Sequence, residues 1–443
     1  MTNHVFPRHT KAQLPTIQSG DGCYLIDTNG KRYLDSSGGA AVSCLGHNDP
    51  EIVDAIKTQL DSIAFAHTGF FTSEPAEQLA DLLIKHAPET LERVYFVSGG
   101  SEAVEAALKL ARQYYVERGE SSRSHVIARR QSYHGNTIGA LSSGGNMWRR
   151  ELFEPILLKA SHIPPCYAYR DKRDDETEEA YGLRIANELQ AEIEKVGAEN
   201  VMAFIAEPVV GATTGAVPAV PGYFKRIREI CDSNGVLLIL DEVMCGMGRT
   251  GFLYACEEDG ISPDILCIAK GLGAGYQPIG AMLCSGKIYQ TIEQGSGLFQ
   301  HGHTYMGHPT ACAAGLAVIS AFFNRNLLPR VIERGHKLRT RLKEVLGHHP
   351  HVGDIRGRGL FTGIELVQDR ETKAPFDPVK ALHKHIKKFS FERGLICYPM
   401  GGTIDGRHGD HILLAPPFII TDTQIDELVL KLEHAVTRAL ESV

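Results

Sequence analysis

The chain has 443 residues, 43% of them hydrophobic and 22% charged, with a formal net charge of −7. That balance suits a globular protein of two or three domains and gives no reason to expect nucleic acid as a partner. No apolar run approaches the roughly 18 residues that span a bilayer, the opening residues MTNHVFPR lack the apolar core of a signal peptide, and ten scattered cysteines without a CxxC pair read as reduced core residues of a cytoplasmic protein.

Residues 23–34 alternate about the Asn29-Gly30 pair, which predicts a hairpin. Helical spacing follows at 51–63 and 74–86, then a short strand at 94–97. The turn Ser98-Gly99-Gly100-Ser101 opens a helix over 101–118. Further strands are expected at 126–128, 202–206, 236–240, 265–269 and 279–283, with helices between most of them. Short continuous apolar strands separated by helices predict a mostly parallel sheet covered on both faces. A long helix over 306–323 ends this pattern. Beyond it come a helix over 327–345, a strand pair at 359–366 and 394–398, and a closing helix over 423–440, read as a smaller α+β domain joined by the N-terminal hairpin. The charge cluster 170–179 reads as a solvated loop. Histidine groups such as His301-Gly302-His303 and His348-His349-Pro350-His351 match no zinc spacing, so no metal is expected.

In parallel α/β sheets functional groups gather at the carboxyl ends of strands, and three such ends carry candidates. The turn Ser98-Gly99-Gly100-Ser101 offers backbone N–H groups and the positive end of a helix dipole to an anion. Many such turns are empty, and this one is neither a P-loop nor a GxGxxG. Asp241 closes an apolar strand and is expected half buried, either as a cap or as a carboxylate held against a heterocyclic nitrogen. Lys270 directly follows the apolar run 265–269 and precedes Gly271, Gly273 and Gly275. A buried ammonium is unfavourable unless paired or neutralised, and the glycines suggest backbone passing close to something, with room left for a bound molecule. Each residue alone is more often structural than catalytic. On successive strand ends they make a phosphate seat, a pyridinium partner and a Schiff-base lysine, the set that pyridoxal phosphate requires.

The chain resembles the class III pyridoxal-phosphate aminotransferases, of the omega-amino acid and amine:pyruvate type, over nearly its whole length. The strongest match is Leu238-Ile239-Leu240-Asp241-Glu242-Val243, then Gly246-Met247-Gly248-Arg249-Thr250-Gly251, Asp264 and Ala269-Lys270-Gly271. Ser98-Gly99-Gly100-Ser101-Glu102-Ala103, Tyr133-His134-Gly135, Ala206-Glu207-Pro208 and Ala415-Pro416-Pro417 are also similar. The resemblance implies an α/β protein of PLP fold type I. Its large cofactor-binding domain, residues 62–326, would hold a mostly parallel seven-stranded sheet, with a smaller α+β domain built from 1–61 and 327–443. It also implies a homodimer with shared active sites, or a tetramer, and ping-pong transfer of an amino group from an amine or omega-amino acid to an oxoacid, with pyruvate expected.

Carried over by position, the resemblance makes Lys270 the Schiff-base lysine and proton carrier, and Asp241 the partner of the pyridinium nitrogen. Tyr133 and Val243 would pack the ring faces, Tyr133 also meeting substrate, and Gly100 and Ser101 would hold the phosphate. His134 and Glu207 join the cofactor set. Thr304 would reach the partner subunit's phosphate.

Two departures bear on substrate. Ornithine-type members carry a glutamate where this chain has Ala212, and the loop Ser37-Gly38-Gly39-Ala40-Ala41 lacks the bulky residue of amine:pyruvate members, suggesting a roomier or differently gated pocket. An unpaired buried arginine is unfavourable, so one substrate cation is expected, with Arg407 the candidate against a solvated loop arginine. An aminomutase, epimerase or decarboxylase would use the same cofactor residues. A nicotinamide-dependent dehydrogenase fails on glycine spacing and on the missing acidic residue.

Overall fold

The computed structural model describes residues 4–443. The N-terminal alternation forms an antiparallel meander of β1 (Ile17–Asp21), β2 (Tyr24–Asp27) and β3 (Arg32–Asp35). Asp27 Oδ1 accepts the N–H groups of Asn29 and Lys31 at 2.9 and 3.0 Å, and Gly30 takes a φ of 79° that favours glycine.

The next strands are β4 (Leu91–Val97), β5 (His125–Arg129), β6 (Ala160–Ile163) and β7 (Val201–Ala206), a small ribbon of β8 (Val209–Val210) and β9 (Val217–Pro218), then β10 (Leu237–Asp241), β11 (Ile265–Ile268) and β12 (Gly280–Ser285). Seven of them form one sheet in the order β4-β12-β11-β10-β7-β5-β6. Only β12 runs against its neighbours. Every residue of β7, β10, β11 and β12 is buried, which is why these strands read as unbroken apolar runs rather than alternations. Each buried Leu or Ile contributes ~1.5–3 kcal/mol, so the register of these central strands is strongly fixed. Their ends, and what stands there, are fixed with it.

The C-terminal region adds β13 (Val352–Arg358), β14 (Phe361–Leu366), β15 (Leu395–Ile396), β16 (Tyr398–Gly401) and β17 (Asp410–Leu414). Here the structure corrects the sequence reading. The segments at 359–366 and 394–398 do not pair with each other. β14 lies between β13 and β17, whereas β15 runs parallel beside β3. The free edge of the hairpin accepts it: Leu34 N–H reaches Gly394 O and Ser36 N–H reaches Ile396 O, both at 2.9 Å. β17 was hidden because it begins with two buried polar residues. Asp410 Oδ1 lies 2.6 Å from His383 Nδ1, and His411 Nδ1 lies 2.7 Å from Thr403 Oγ1.

The charge cluster is also not wholly solvated. Arg173, Asp174 and Asp175 are exposed, but Arg170 is half buried and its Nε donates to Glu365 Oε1 on β14 at 2.6 Å. The long helix begins at Pro309, and Pro309–Asn324 meets Leu327–Leu346 at a bend of 71° about Asn326. Among the described residues no single helix is long and apolar enough to cross a membrane. The closing helix Asp422–Glu441 starts at a reciprocal cap between Thr421 and Gln424.

Candidate active site

The carboxyl ends of β4, β5, β7, β10 and β11 meet at one edge of the large sheet, and the loops leaving them line a cavity of about 990 Å³. Asp241 closes β10 and is 4% exposed, deeper than the half-buried position expected. Its Oδ2 lies 2.8 Å from His134 Nδ1, and its Oδ1 accepts Val243 N–H at 3.0 Å. With the carboxylate ionised, the shared proton sits on Nδ1. His134 Nε2 is then a buried polar atom with no protein partner, in a residue lining the cavity. Such an atom marks a place that a bound molecule completes.

Glu242 turns the other way. Its Oε2 and Oε1 accept the N–H groups of Ala255 and Cys256 at 2.5 and 2.8 Å, tying the loop after β10. Burial pushes its carboxyl up to about 7, against the downward pull of those N–H groups. Glu207, just past β7, accepts Tyr133 N–H on Oε1 and Gly211 N–H on Oε2, both at 3.0 Å. Burial raises its pKa too, and the nearby His134 lowers it in part.

Lys270 follows β11 by two residues with φ +45°, a left-handed conformation uncommon for a residue with a side chain. Burial lowers its amine below the ordinary 10.5, while the carboxylates of Asp241 and Glu207 raise it part of the way back. The glycines after it divide their tasks. A Cβ on Gly271 would stand 2.9 Å from Met247 Cβ, and one on Gly273 2.4 Å from Gln277 O, so these two let backbone pack behind the lysine. Of the three, Gly275 faces the cavity. The expectation that all three clear room for a bound molecule is corrected accordingly.

The helix Gly100–Glu117 starts without a side-chain cap. Ala103 N–H reaches Gly99 O at 3.0 Å, so Gly100, Ser101 and Glu102 are the first-turn residues whose N–H groups have no carbonyl one turn earlier. A Cβ at Gly100 would lie 2.5 Å from Val243 Cγ1, so only glycine lets the helix start approach β10 this closely. Ser101 Oγ accepts Asn136 N–H at 3.0 Å. An anion-accepting helix start, a carboxylate–imidazole pair with an open nitrogen, and an amine of lowered basicity fit a group bearing a phosphate, a ring nitrogen and an aldehyde.

Lys270, Asp241, His134, Glu207, Tyr133, Val243, Gly100 and Ser101 thus line one cavity. Thr304, expected to reach the partner subunit's phosphate rather than this cavity, and Arg407 lie outside its lining. Thr304 is exposed in the turn before the helix Pro309–Asn324. Arg407 is exposed, pairs with Glu151 at 2.8 Å, and lines a neighbouring cavity of about 850 Å³. The reason is local: Asp405 Oδ1 accepts the N–H groups of Arg407 and His408, each at 2.8 Å, and curls that turn outward. Sequence reasoning missed the residues that do line the mouth, namely Arg8, Trp148, Arg149, Leu152, Phe153 and Tyr398. The basic pair Arg149-Arg150 was the one local signal. Ala40 and Val42 line the cavity from the loop after β3, where Gly38 and Gly39 have φ of 55° and 69°.

Residues 5–436 match the aminotransferase class-III family. An uncharacterized aminotransferase of Schizosaccharomyces pombe is 46% identical over 442 residues, spanning all of this chain and 96% of that protein. An adenosylmethionine-8-amino-7-oxononanoate aminotransferase of Methanocaldococcus jannaschii is 38% identical, over 96% of this chain and 92% of its own. Among solved structures, an amine transaminase from an uncultivated Pseudomonas species, bound to PLP, superposes with a TM-score of 0.92 at 35% identity over 99% of each chain. An (S)-enantioselective omega-transaminase of Thermomicrobium roseum gives 0.92 at 34% identity over 99% of this chain and 96% of its own. Pyridoxal phosphate is the family's cofactor, and the cavity fits it; the chain belongs to the class III aminotransferases of PLP fold type I.

Proposed function

We propose that this aminotransferase moves an amino group from an amine or omega-amino acid to pyruvate, donor and acceptor occupying the site in turn. The observation that carries the reading is the convergence of Lys270 and the Asp241–His134 pair on one cavity with an uncapped helix start. When bound, the cofactor supplies an aldehyde that condenses with amines and an electron-withdrawing ring. The N–H groups of Gly100 and Ser101 bind its phosphate. Asp241, oriented by His134 and by Val243 N–H, holds a proton on the ring nitrogen. Tyr133 and Val243 bound the ring, and Glu207 fixes Tyr133 through its backbone. Burial lowers the basicity of the Lys270 amine, which suits it to accept and return the substrate Cα proton.

Pyruvate as acceptor is supported by Ala212, which lines the cavity at the position where ornithine-type members carry a glutamate. A shared-site homodimer, which in a higher assembly becomes a tetramer, is supported by exposed apolar residues: Phe70 is 82% exposed, Phe71 67% and Tyr305, next to Thr304, 57%. The division into 62–326 and a part made from 1–61 with 327–443 belongs to the same proposal, and β15 beside β3 supports the joining of the two ends. Ten free, buried cysteines support a cytoplasmic home.

The test is alanine formation from pyruvate with a panel of amines and omega-amino acids, alongside glutamate formation from 2-oxoglutarate. A higher kcat/KM for 2-oxoglutarate would overturn the acceptor and leave the aminotransferase standing. Co-assembled Lys270→Ala and Thr304→Ala chains, if Thr304 crosses to the partner, regain one working site; no gain over the separate variants argues that it acts within its own subunit.

A further inference from the structure

We propose that Arg149 is the specificity-determining cation of this site, anchoring an anionic group at the far end of the amino donor, so that omega-amino acids are preferred over plain amines of equal length. The proposal rests on the aminotransferase reading and deepens its donor half.

Arg149 and Arg150 are neighbours on the short helix Met147–Arg150 and do different things. Arg150 is buried and donates to the carbonyls of Leu141 at 3.1 Å, Gly144 at 2.8 Å and Ser142, which clamps the segment to the body of the protein. Asn146 Oδ1 accepts Arg149 N–H at 3.2 Å and fixes the start of the helix. The Arg149 side chain is therefore delivered to the cavity by a rigid mount.

Its guanidinium lies over the Tyr133 ring at 4.6 Å and near the Trp148 ring at 5.9 Å. Among the described residues it makes no ion pair. Ring contact holds the guanidinium plane while leaving its forked N–H donors open, the arrangement that suits a two-point grip on a carboxylate. The contrast with Arg407, already answered by Glu151, is direct. The carboxylates lining the cavity, Asp241 and Glu207, are both engaged at its floor. An open cation and a reactive amine in one cavity define a substrate with an anion at one end and a nitrogen at the other. The approach favours the same sign: Arg8 and Arg149 also line the neighbouring cavity, together with Lys384 and Lys387, and a basic vestibule raises the local concentration of anions.

The test uses the holoenzyme in three forms: unchanged, Arg149→Gln and Arg149→Lys. The kcat/KM for 4-aminobutyrate and for n-butylamine is measured at saturating oxoacid. Binding of pentanoate, which has the carboxylate but no amine, is measured by calorimetry. We expect the ratio of 4-aminobutyrate to n-butylamine to fall at least tenfold in Arg149→Gln and to recover in part in Arg149→Lys, with pentanoate affinity following the same order. An unchanged ratio, or an equal loss for both donors, overturns the proposal. Should the unchanged enzyme make no alanine from pyruvate, the acceptor reading fails alone. Pentanoate then decides Arg149, because equal binding to all three forms removes it and selective loss in Arg149→Gln retains it.

Discussion

At the floor of the cavity Asp241, Glu207 and Lys270 sit at the end of a buried strand or within two residues of it, whereas at the mouth Trp148, Arg149 and Arg8 come from a four-residue helix and the segment before β1. Floor carboxylates have two protein partners each, while Arg149 makes no ion pair among the described residues. A group whose partners are already fixed contributes orientation and charge to the reaction. A group still open contributes choice among molecules. The floor should therefore govern turnover and the mouth should govern which donors are used.

Lys270→Ala tests that division most severely. Turnover should fall ~10^4-fold, the upper range for a lost general acid–base group, while thermal unfolding stays cooperative; turnover near the original would remove Lys270 from the chemistry. Asp241→Asn should lower kcat by about 10^2-fold with KM little moved, in line with the loss of one preorganised electrostatic group. A change confined to KM would mean that Asp241 belongs functionally with the mouth. Gly100→Val places a side chain where even a Cβ lies 2.5 Å from Val243 Cγ1. Displacing the helix start should weaken retention of pyridoxal phosphate roughly tenfold, or about 1.4 kcal/mol, as read by dialysis and absorbance.

The floor's support carries a pH signature. Glu242, raised from 4.5 to about 7, binds its proton more tightly in the folded chain than in the unfolded one. Its contribution to stability is thus fullest below 4.5, declines as pH climbs toward about 7, and is level above. Relative to Glu242→Gln, which does not titrate, the protein should lose up to ~3 kcal/mol between pH 4.5 and 8, measured by denaturant unfolding at each pH. A flat difference would leave the loop after β10 tied by groups other than Glu242. The smallest effect belongs to Arg407→Ala. As an exposed residue paired with Glu151 it should alter kcat/KM by less than about twofold, the scale of an ordinary surface substitution. A loss as large as that of Arg149→Gln would extend the mouth into the second cavity.

The same contrast decides what was legible in the sequence. Leu237–Asp241 and Ile265–Ile268 are buried on both faces, so each announces itself as an apolar run and its first polar follower stands out against it. Asp241 and Lys270 were found that way. The mouth residues have no such background. Trp148 and Arg149 lie on a single turn of helix, and Arg8 lies in a segment without regular structure. Their convergence depends on contacts across more than a hundred residues of chain. Nor does a loop arginine near the expected place reveal that Asp405 accepts the N–H groups of Arg407 and His408 and that Arg407 pairs with Glu151. β15 was mispaired and β17 missed for related reasons. One is two residues long and pairs with a strand at the opposite end of the chain, and the other opens with buried polar residues whose partners, His383 and Thr403, lie outside any local pattern.

The pairing of β15 with β3 carries a consequence for how the chain comes into being. The loop after β3 is held by residues made last: Ser36 O accepts Ala415 N–H at 2.8 Å, and Ser36 N–H reaches Ile396 O at 2.9 Å. On a ribosome adding ~5–20 residues per second, the stretch between these partners takes on the order of 20–70 s to synthesise. All seven strands of the large sheet have left the ribosome before then, and Ala40 and Val42 still lack their final anchorage. The cavity that receives cofactor and substrate is closed on this side only when the chain is almost complete, so an unfinished polypeptide presents the chemistry of its floor behind an open wall.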